Sequence, residues 1–189
     1  MSASVPPDRS RVGTHLTARL RLEIPSGADL ADLIRLWQDP LVTATLGGPR
    51  NPDAVQGLLD AMITHRAQHG WGWWILRDRE TGDFLGYGGI RRAIFDELPE
   101  IELGYALVAP VWGRGLASEL AADAVQVAFQ DLRHDSVVAI TTPANAASRR
   151  VMEKAGMQYE KHVQHAGEPH VLYRAAADRW RPPQIRPGA

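Results

Sequence analysis

Residues 100–141 carry the pattern that most restricts how this chain can fold. Apolar and polar side chains alternate along residues 100–108, which predicts a half-buried strand that Pro110 ends. A turn with two glycines, an amphipathic helix over residues 115–130 and a short apolar strand over residues 136–141 follow. Two strands joined through a helix in this way lie parallel in one sheet.

Hairpin signals on both sides of this unit require antiparallel strands as well. Turn-forming residues such as Gly82 and Gly167 separate the two strands of each predicted pair. A mixed α/β sheet with helices on both faces accommodates the parallel crossover and the antiparallel hairpins together. The predicted strands cover residues 17–24, 71–77, 84–92, 100–108, 136–141, 157–164 and 170–175.

Capping residues mark where the predicted helices begin and end. Ser26 followed by Asp29 predicts a capping box at the start of the first helix, which ends before Pro40. Asn51 precedes the second helix, and Asn145 precedes the last one. With these helices in place, the predicted element order is β-α-α-β-β-β-α-β-α-β-β.

The length of 189 residues suits a single domain, which we place at residues 15–177. Residues 1–14 and 178–189 are polar or rich in proline. We therefore predict a flexible N-terminal arm over residues 1–14 and a flexible C-terminal tail over residues 178–189.

Composition argues against several classes of partner. The formal net charge of −1 gives no support to nucleic-acid binding, since proteins that bind phosphate backbones usually carry a basic face. No apolar segment is long enough for a membrane helix, and the first residues lack the apolar core of a signal peptide. The chain contains no cysteine. We expect a cytoplasmic protein with neither a nucleic-acid nor a membrane partner.

The segment most informative about function is residues 107–118, which runs from a strand through Gly113 and Gly115 into a helix. The first turn of a helix has unpartnered N–H groups and the positive end of the helix dipole, so it can hold a phosphate group that glycines allow to approach. The same glycines also suit a turn that merely redirects the chain. The Walker motif and the dinucleotide fingerprint do not fit, because the Walker lysine is missing and Ser118 replaces the third glycine.

A second informative segment covers residues 145–157. Asn145 is fully explained as a helix cap. Ser148 would lie in the first turn of that helix, where its hydroxyl can point towards a ligand or form only a local hydrogen bond.

Together, the two segments resemble the GNAT N-acetyltransferases. Residues 111–118 read VWGRGLAS, and residues 145–157 read NAASRRVMEKAGM about thirty positions later. The chain is similar in particular to the branch that contains the ribosomal-protein serine/alanine N-terminal acetyltransferases. The resemblance spans roughly residues 15–177. It implies a GNAT-like, mostly antiparallel sheet and acetyl-CoA as the cosubstrate.

The resemblance also implies which residues hold acetyl-CoA. Backbone groups of Leu107 and Val108 would pair with the pantetheine arm, and the backbone amides that follow Trp112 would hold the pyrophosphate. Asn145 would contact the coenzyme near the thioester, and Ser148 would protonate the departing thiolate. The predicted cofactor-binding residues are Leu107, Val108, Trp112, Gly113, Arg114, Gly115, Leu116, Ala117, Ser118 and Asn145.

Glu102 is the candidate general base. Without cysteine, an acyl-cysteine route is excluded, so an amine must attack the thioester directly and lose its proton to a base, through one water where needed. Glu102 lies on the strand leading to the glycine turn, and its position resembles that of a glutamate with this role in related enzymes. Glu100 and Asp96 are weaker candidates, and both glutamates could instead be solvated charges. Tyr105 lies on the opposite face and is assigned to the core.

Tryptophans and histidines are assigned mainly structural roles. Trp71 and Trp73 are predicted to share one face of a strand, with Trp74 on the other. The resemblance implies that Trp37 and the loop over residues 45–48 border the acceptor, because the segment between the first two helices does so in that family. His162 and His165 are three positions apart in a strand and therefore point to opposite faces. No cysteine or carboxylate completes a ligand set with them, so we expect no metal site.

The acceptor is predicted to be a primary amine. At pH 7 an α-amine with a pKa near 7.7–8.0 is roughly 10–15% neutral, whereas a lysine side chain is almost fully protonated. This agrees with a protein N-terminus as acceptor but does not select it over a small-molecule amine. A coenzyme A-binding module without catalysis is the alternative, and it would need neither Glu102 nor Ser148. A homodimer through the edge of the final hairpin stays open.

Overall fold

The structure, a computed structural model, describes residues 11–183. Its strands are β1 (His15–Leu16), β2 (Leu20–Glu23), β3 (Trp73–Asp78), β4 (Phe84–Phe95), β5 (Leu98–Leu107), β6 (Ser136–Thr141), β7 (Gln158–His165) and β8 (Glu168–Ala176). They form one sheet in the order β1-β2-β3-β4-β5-β6-β8-β7. Neighbouring strands are antiparallel except for β5 and β6, which are parallel.

Helices cover both faces of this sheet. They are α1 (Leu30–Gln38), α2 (Pro40–Thr43), α3 (Pro52–His69), α4 (Leu116–Gln126) and α5 (Ala146–Lys154). We call the face packed against α1 and α3 the front, and the face packed against α4 and α5 the rear. The predicted fold class, a mixed and mostly antiparallel sheet between helices, is confirmed. No helix of the described residues is both long and apolar enough to cross a membrane.

Two short elements, β1 and α2, fall outside the predicted pattern. The backbone N–H of Thr17 donates to Leu20 O at 2.9 Å, and this turn separates β1 from β2, so the predicted strand over residues 17–24 begins only at Leu20. Pro40 ends α1 as predicted but also begins α2. Proline suits the first position of a helix, and the Asp39 carboxylate caps the new helix.

The predicted helix caps are confirmed. Ser26 and Asp29 form a capping box, in which the Ser26 N–H lies 2.8 Å from Asp29 Oδ2, before a 3-10 turn that leads into α1. At the start of α3, Asn51 Oδ1 accepts a hydrogen bond from Ala54 N–H at 2.8 Å. Asn145 caps α5 with its side chain. Local sequence signals therefore fix where these helices begin.

Apolar layers on both faces hold β5 in place. On the rear, Leu120 of α4 packs in one core cluster with Leu103 of β5. On the front, Leu33 of α1 and Leu59 of α3 pack in a second cluster with Ala106 of β5. Alternate side chains of β5 therefore face α4 on one side and α1 and α3 on the other.

The prediction that Trp71 and Trp73 share a face is wrong. Trp71 and Trp74 pack into the rear cluster, whereas Trp73 packs against the front one. The strand begins only at Trp73, so the alternation of a strand does not extend back to Trp71. Trp73 is thus the member of this group that reaches the front face.

Both ends of the described chain pack against the domain. Val12 is buried in the rear cluster. Trp180 is also buried there, and its Nε1 donates to Ala155 O at 2.8 Å. Residues 1–10 and 184–189, the remainder of the predicted arm and tail, lie outside the described residues. The predicted domain boundaries stay a prediction.

Candidate active site

β5 ends in a turn whose backbone only glycine adopts easily. After a 3-10 turn over Ala109–Val111, Gly113 and Gly115 have positive φ values of 74° and 76°. Residues with a side chain rarely adopt these values, which explains both glycines. A Cβ atom built on Gly113 would have no atom within 4 Å. The turn therefore borders open space, where a ligand can approach the backbone.

This turn leads into a helix end without a side-chain cap. Gly115 occupies the capping position of α4, and no side chain accepts a hydrogen bond there. The first backbone bond across the helix start runs from Glu119 N–H to Gly115 O at 3.1 Å. Amides of the first helical turn and the positive end of the helix dipole are therefore available to an anion.

An acidic residue of that first turn, Glu119, ties the turn to the chain before β2. Its Oε1 accepts hydrogen bonds from Thr17 Oγ1 at 2.6 Å and Arg19 N–H at 2.7 Å, and its Oε2 accepts from Arg19 Nε at 2.8 Å. Arg19 Nη1 also donates to Arg114 O at 2.7 Å. Because Arg19 balances the buried carboxylate, Glu119 does not oppose an anion at the helix end. Sequence patterns do not predict this contact, since its partners lie 100 positions apart.

Backbone groups at the end of β5 already make hydrogen bonds. Val108 N–H donates to Leu85 O at 3.0 Å, and Val108 O accepts from Val111 N–H at 3.2 Å. The half-exposed Trp112 folds back, so that its Nε1 donates to Leu107 O at 2.8 Å. A carbonyl oxygen can accept a second hydrogen bond. Pairing of Leu107 and Val108 with a pantetheine arm stays a prediction that rests on these carbonyls.

A tyrosine connects β5 to the start of α5. Tyr105 lies in the strand, and its hydroxyl is 2.9 Å from Ser148 Oγ and 3.2 Å from Ser148 O. Burial raises the pKa of Tyr105 to about 12, and the hydrogen bond with Ser148 opposes part of that rise. The structure thus joins the predicted Ser148 to a phenol that the sequence assigns to the core. Alternation along β5 identifies the face of Tyr105 but not the partner of its hydroxyl.

Asn145 and Ser148 are joined in the first turn of α5. Asn145 Oδ1 accepts a hydrogen bond from Ser148 N–H at 3.0 Å. The side-chain amide nitrogen of Asn145 makes no hydrogen bond within residues 11–183. Contact of this group with the coenzyme stays a prediction.

Glu102 is buried on β5, with 7% of its surface exposed. Arg91 is its cross-strand neighbour on β4 and places both Nε and Nη2 2.6 Å from Glu102 Oε2. The other carboxylate oxygen, Oε1, makes no hydrogen bond to any described residue. One oxygen of the predicted base is therefore paired with a cation, and the other is available to accept a proton.

The two weaker base candidates are engaged elsewhere. Both oxygens of Glu100 are bound by Arg174, at 2.7 and 3.0 Å. Asp96 is exposed at the tip of the β4–β5 hairpin and lies 2.6 Å from Lys161 Nζ. Of the two glutamates, Glu102 alone keeps an oxygen without a hydrogen bond in the described part of the chain.

Aromatic side chains surround the Arg91–Glu102 pair on the front face. The guanidinium carbon of Arg91 lies 5.0 Å from the ring centroid of Trp73. Trp73 packs against Tyr87 at 5.3 Å between centroids, and burial raises the pKa of the Tyr87 phenol. Gly104 makes room for the indole, because a Cβ atom there would lie 3.2 Å from Trp73 Cζ2. The ion pair thus has an aromatic wall on one side.

Among the described residues, neither a metal-ligand cluster nor the cavity beside α1 adds to this site. Among residues 11–183, no group of three or more His, Cys, Asp or Glu side chains is arranged to hold a metal ion. A cavity of about 540 Å³ lies between α1 and the β3–β4 turn, and its lining shares only Val108 with the predicted site. The candidate active site is therefore the open surface along β5 and the start of α4.

Comparisons with known proteins agree with this geometry. A family model described as the acetyltransferase (GNAT) domain matches residues 19–158. The chain is 30% identical over 159 residues to the uncharacterized protein YkkB of Bacillus subtilis, which covers 84% of this chain and 92% of YkkB. It is also 30% identical over 153 residues to the FsC-acetyl coenzyme A-N(2)-transacetylase of Aspergillus fumigatus, covering 76% of this chain and 64% of that protein.

A solved structure supports the same assignment. The crystal structure of an acetyltransferase from Agrobacterium tumefaciens matches with a TM-score of 0.76 and 26% sequence identity. The match covers 93% of this chain and 96% of that one.

Proposed function

Because the chain belongs to the acetyltransferase (GNAT) family, we propose that it transfers an acetyl group from acetyl-CoA to a primary amine. The amine is a protein N-terminus or part of a small molecule. A protein N-terminus would place the chain in the ribosomal-protein branch that its sequence resembles.

The position of two features along β5 carries this proposal. The strand bears Glu102 in its middle, and its carboxyl end leads through the glycine turn to the uncapped start of α4. Glu102 precedes Leu107 by five residues, which is about 17 Å of extended strand. An extended pantetheine arm can cover this distance. With the pyrophosphate at residues 113–118, the thioester would therefore lie towards Glu102.

The proposed reaction is a direct transfer. The amine nitrogen forms a bond to the acetyl carbon, and the bond from that carbon to sulfur breaks. Glu102 Oε1 accepts the proton that the nitrogen loses, directly or through one water. The sulfur takes up a proton, so the products are an amide and the free thiol of coenzyme A.

Ser148 is the proposed proton donor to the sulfur, and Tyr105 positions its hydroxyl. The two hydroxyl oxygens lie 2.9 Å apart. Because burial raises the pKa of Tyr105 to about 12, the phenol stays protonated at neutral pH and can return a proton to the serine.

A coenzyme A-binding module without catalysis is the second candidate. Such a module would use the glycine turn and α4 but would need neither Glu102 nor Ser148. The free oxygen of Glu102 and the hydrogen bond between Tyr105 and Ser148 favour catalysis. Glu102 and Tyr105 both belong to β5, and Tyr105 connects that strand to Ser148 of α5.

Release of coenzyme A thiol tests the proposal. The protein contains no cysteine, so a thiol-reactive chromogenic reagent reports only on coenzyme A. With acetyl-CoA and alaninamide, we expect thiol release in equal amount to the acetylated amide measured by mass spectrometry. Binding of acetyl-CoA without thiol release would favour the binding module, and absence of binding would contradict both candidates.

A further inference from the structure

We propose that Arg91 determines acceptor specificity by recognising a carbonyl or carboxylate oxygen on the carbon that follows the one bearing the reacting amine. The proposal rests on the proposed acetyl transfer and adds a chemical class of acceptor to it. This class is the α-amino carbonyl compounds, in which a carbonyl or carboxylate group follows the carbon that bears the amine.

The unequal use of the two carboxylate oxygens is the first observation. Arg91 directs Nε and Nη2 to Glu102 Oε2 and leaves Oε1 without a hydrogen bond from the described residues. The third guanidinium nitrogen of Arg91, Nη1, makes no hydrogen bond to residues 11–183 either. A free acceptor and a free charged donor therefore belong to the same ion pair.

The exposed fractions of the two side chains indicate whether a ligand meets Arg91 or Glu102 first. The Glu102 side chain is 9% exposed, whereas the Arg91 side chain is 42% exposed. An amine that reaches Glu102 Oε1 therefore passes beside the guanidinium. The carbonyl oxygen of such an acceptor, three bonds from the amine nitrogen, can accept a hydrogen bond from Arg91 Nη1 while the amine faces Oε1.

Two contacts hold the guanidinium in this position. The ion pair with Glu102 fixes one edge, and the ring of Trp73, 5.0 Å from the guanidinium carbon, supports one face. Gly104 leaves the room that this indole occupies. Arg91 is thus oriented before an acceptor arrives, which reduces the entropy that binding costs.

The charged side chains on the front face favour the same class of acceptor, the α-amino carbonyl compounds. Arg91 is accompanied by Arg50, whose guanidinium carbon lies 4.3 Å from the ring centroid of Trp37. Trp37 and Trp73 both pack against Tyr87, so the two cations flank one aromatic wall. Glu102 balances the charge of Arg91, whereas Arg50 forms no ion pair with a described residue, so a polyamine is repelled by Arg50 and a carbonyl or carboxylate oxygen is attracted.

A pair of matched acceptors tests this inference. Alaninamide and isopropylamine differ in one substituent on the carbon bearing the amine, a carboxamide in the first and a methyl in the second. The measured quantity is the ratio of their kcat/KM values, each corrected to the neutral amine fraction. We expect the wild-type protein to favour alaninamide by at least about tenfold, as for one hydrogen bond to a charged donor.

Arg91→Met should reduce this ratio to below about threefold, whereas Arg91→Lys should give an intermediate ratio because it keeps the charge without the planar fork. Loss of the ion pair alters Glu102 for both acceptors alike, so a purely structural role would leave the ratio unchanged. Arg92→Met is the matched control, since Arg92 is the next residue of β4 and points to the other side. It should retain the wild-type ratio.

The possible results separate the two proposals. No thiol release with either amine would contradict acetyl transfer itself. Thiol release with a wild-type ratio near one, or an Arg91→Met ratio equal to that of the wild type, would overturn the role of Arg91 alone. If Arg91→Met fails to fold in a thermal unfolding assay, the wild-type and Arg91→Lys ratios still decide the question.

Discussion

The middle and the carboxyl end of β5 are built in different ways. At the carboxyl end, residues 107–118 form the turn and the helix start from one continuous segment. In the middle, Glu102 takes its surroundings from Arg91 on β4 and Trp73 on β3. The backbone of the first region follows from one segment, to which Arg19 and Leu85 add contacts, whereas the second region exists only once distant strands have paired. Substitutions should therefore act on coenzyme affinity at the end of β5 and on amine turnover in its middle.

The largest effect is expected in the middle of the strand. Glu102→Gln removes the proposed proton acceptor and should lower kcat by about 10²–10⁴-fold, the range typical for a general base. The dissociation constant for acetyl-CoA should change little, because the turn is untouched. Glu97→Gln, the same chemical change at the exposed hairpin tip, is the control. A kcat that Glu102→Gln leaves unchanged across pH 6–9 would remove Glu102 as the base.

The second-largest effect is expected on coenzyme affinity, at the carboxyl end of β5. Gly115→Glu forces a side chain onto a residue with φ of 76° and adds a negative charge at the phosphate site. We expect the acetyl-CoA affinity to fall by roughly 100-fold or more in calorimetry. Gly57→Glu on α3, where a Cβ atom would meet nothing within 4 Å, is the control and should bind normally. Retained affinity in Gly115→Glu would show that the pyrophosphate lies elsewhere.

A smaller effect tests whether Tyr105 and Ser148 act as one unit. Tyr105→Phe and Ser148→Ala should each lower kcat by about tenfold, and the double variant should be no slower than the slower single variant. The comparison of the three variants in one steady-state assay measures this coupling. Effects that multiply would mean that the two hydroxyls act independently.

The contact between the turn and the segment before β2 should matter less for activity. Glu119→Gln weakens the hydrogen bonds to Thr17 and Arg19 and should lower the free energy of unfolding by about 1 kcal/mol. Coenzyme affinity should fall only a few-fold, since the glycines keep their conformation. Chemical denaturation and calorimetry check both values, with the exposed Glu168→Gln as the control. An unchanged stability would mean that Glu119 does not hold the turn.

The smallest effect is a pH dependence of stability at His65, whose Nε2 accepts a hydrogen bond from Arg92 N–H at 3.1 Å, next to the middle region. Burial lowers the pKa of His65 below 6.5, although its hydrogen bond to Trp71 O acts in the opposite direction. The unfolded chain therefore binds more protons below about pH 6.5, so stability is present above this pH and is lost as the pH falls. We expect the Tm to decrease between pH 7 and 5.

His65→Gln should make this decrease shallower, while His162→Gln on the exposed strand β7 should not. Burial lowers the pKa of His134 as well, so part of the decrease should persist in His65→Gln. A Tm in the wild-type protein that rises on acidification would contradict this assignment.

Much of the fold follows from short-range sequence signals. The caps at Ser26, Asn51 and Asn145 are confirmed because each depends on residues three positions away. The mixed sheet is confirmed because hydrophobic periodicity and the crossover rule restrict the topology. Periodicity places Trp71 on the wrong face, because the side of Trp71 depends on where β3 begins and periodicity does not determine that point.

In the candidate site, too, local features are predictable from the sequence and long-range contacts are not. The glycine turn is predictable, since positive φ at two positions requires glycine and the helix start follows directly. The partners of Glu102 and Ser148 are not predictable, because Arg91 and Tyr105 come from other segments and meet them only in the folded sheet. The contact of Glu119 with Arg19 is not predictable for the same reason, because its partners are distant in the sequence.

Calorimetric titration of the wild-type protein with acetyl-CoA is the most direct test of coenzyme binding at the glycine turn. We predict one binding site with a dissociation constant in the micromolar range, because the open glycine turn and the uncapped start of α4 are already formed. Absence of binding heat and of thermal stabilisation at millimolar acetyl-CoA would contradict it. The glycine turn would then serve only to connect β5 to α4.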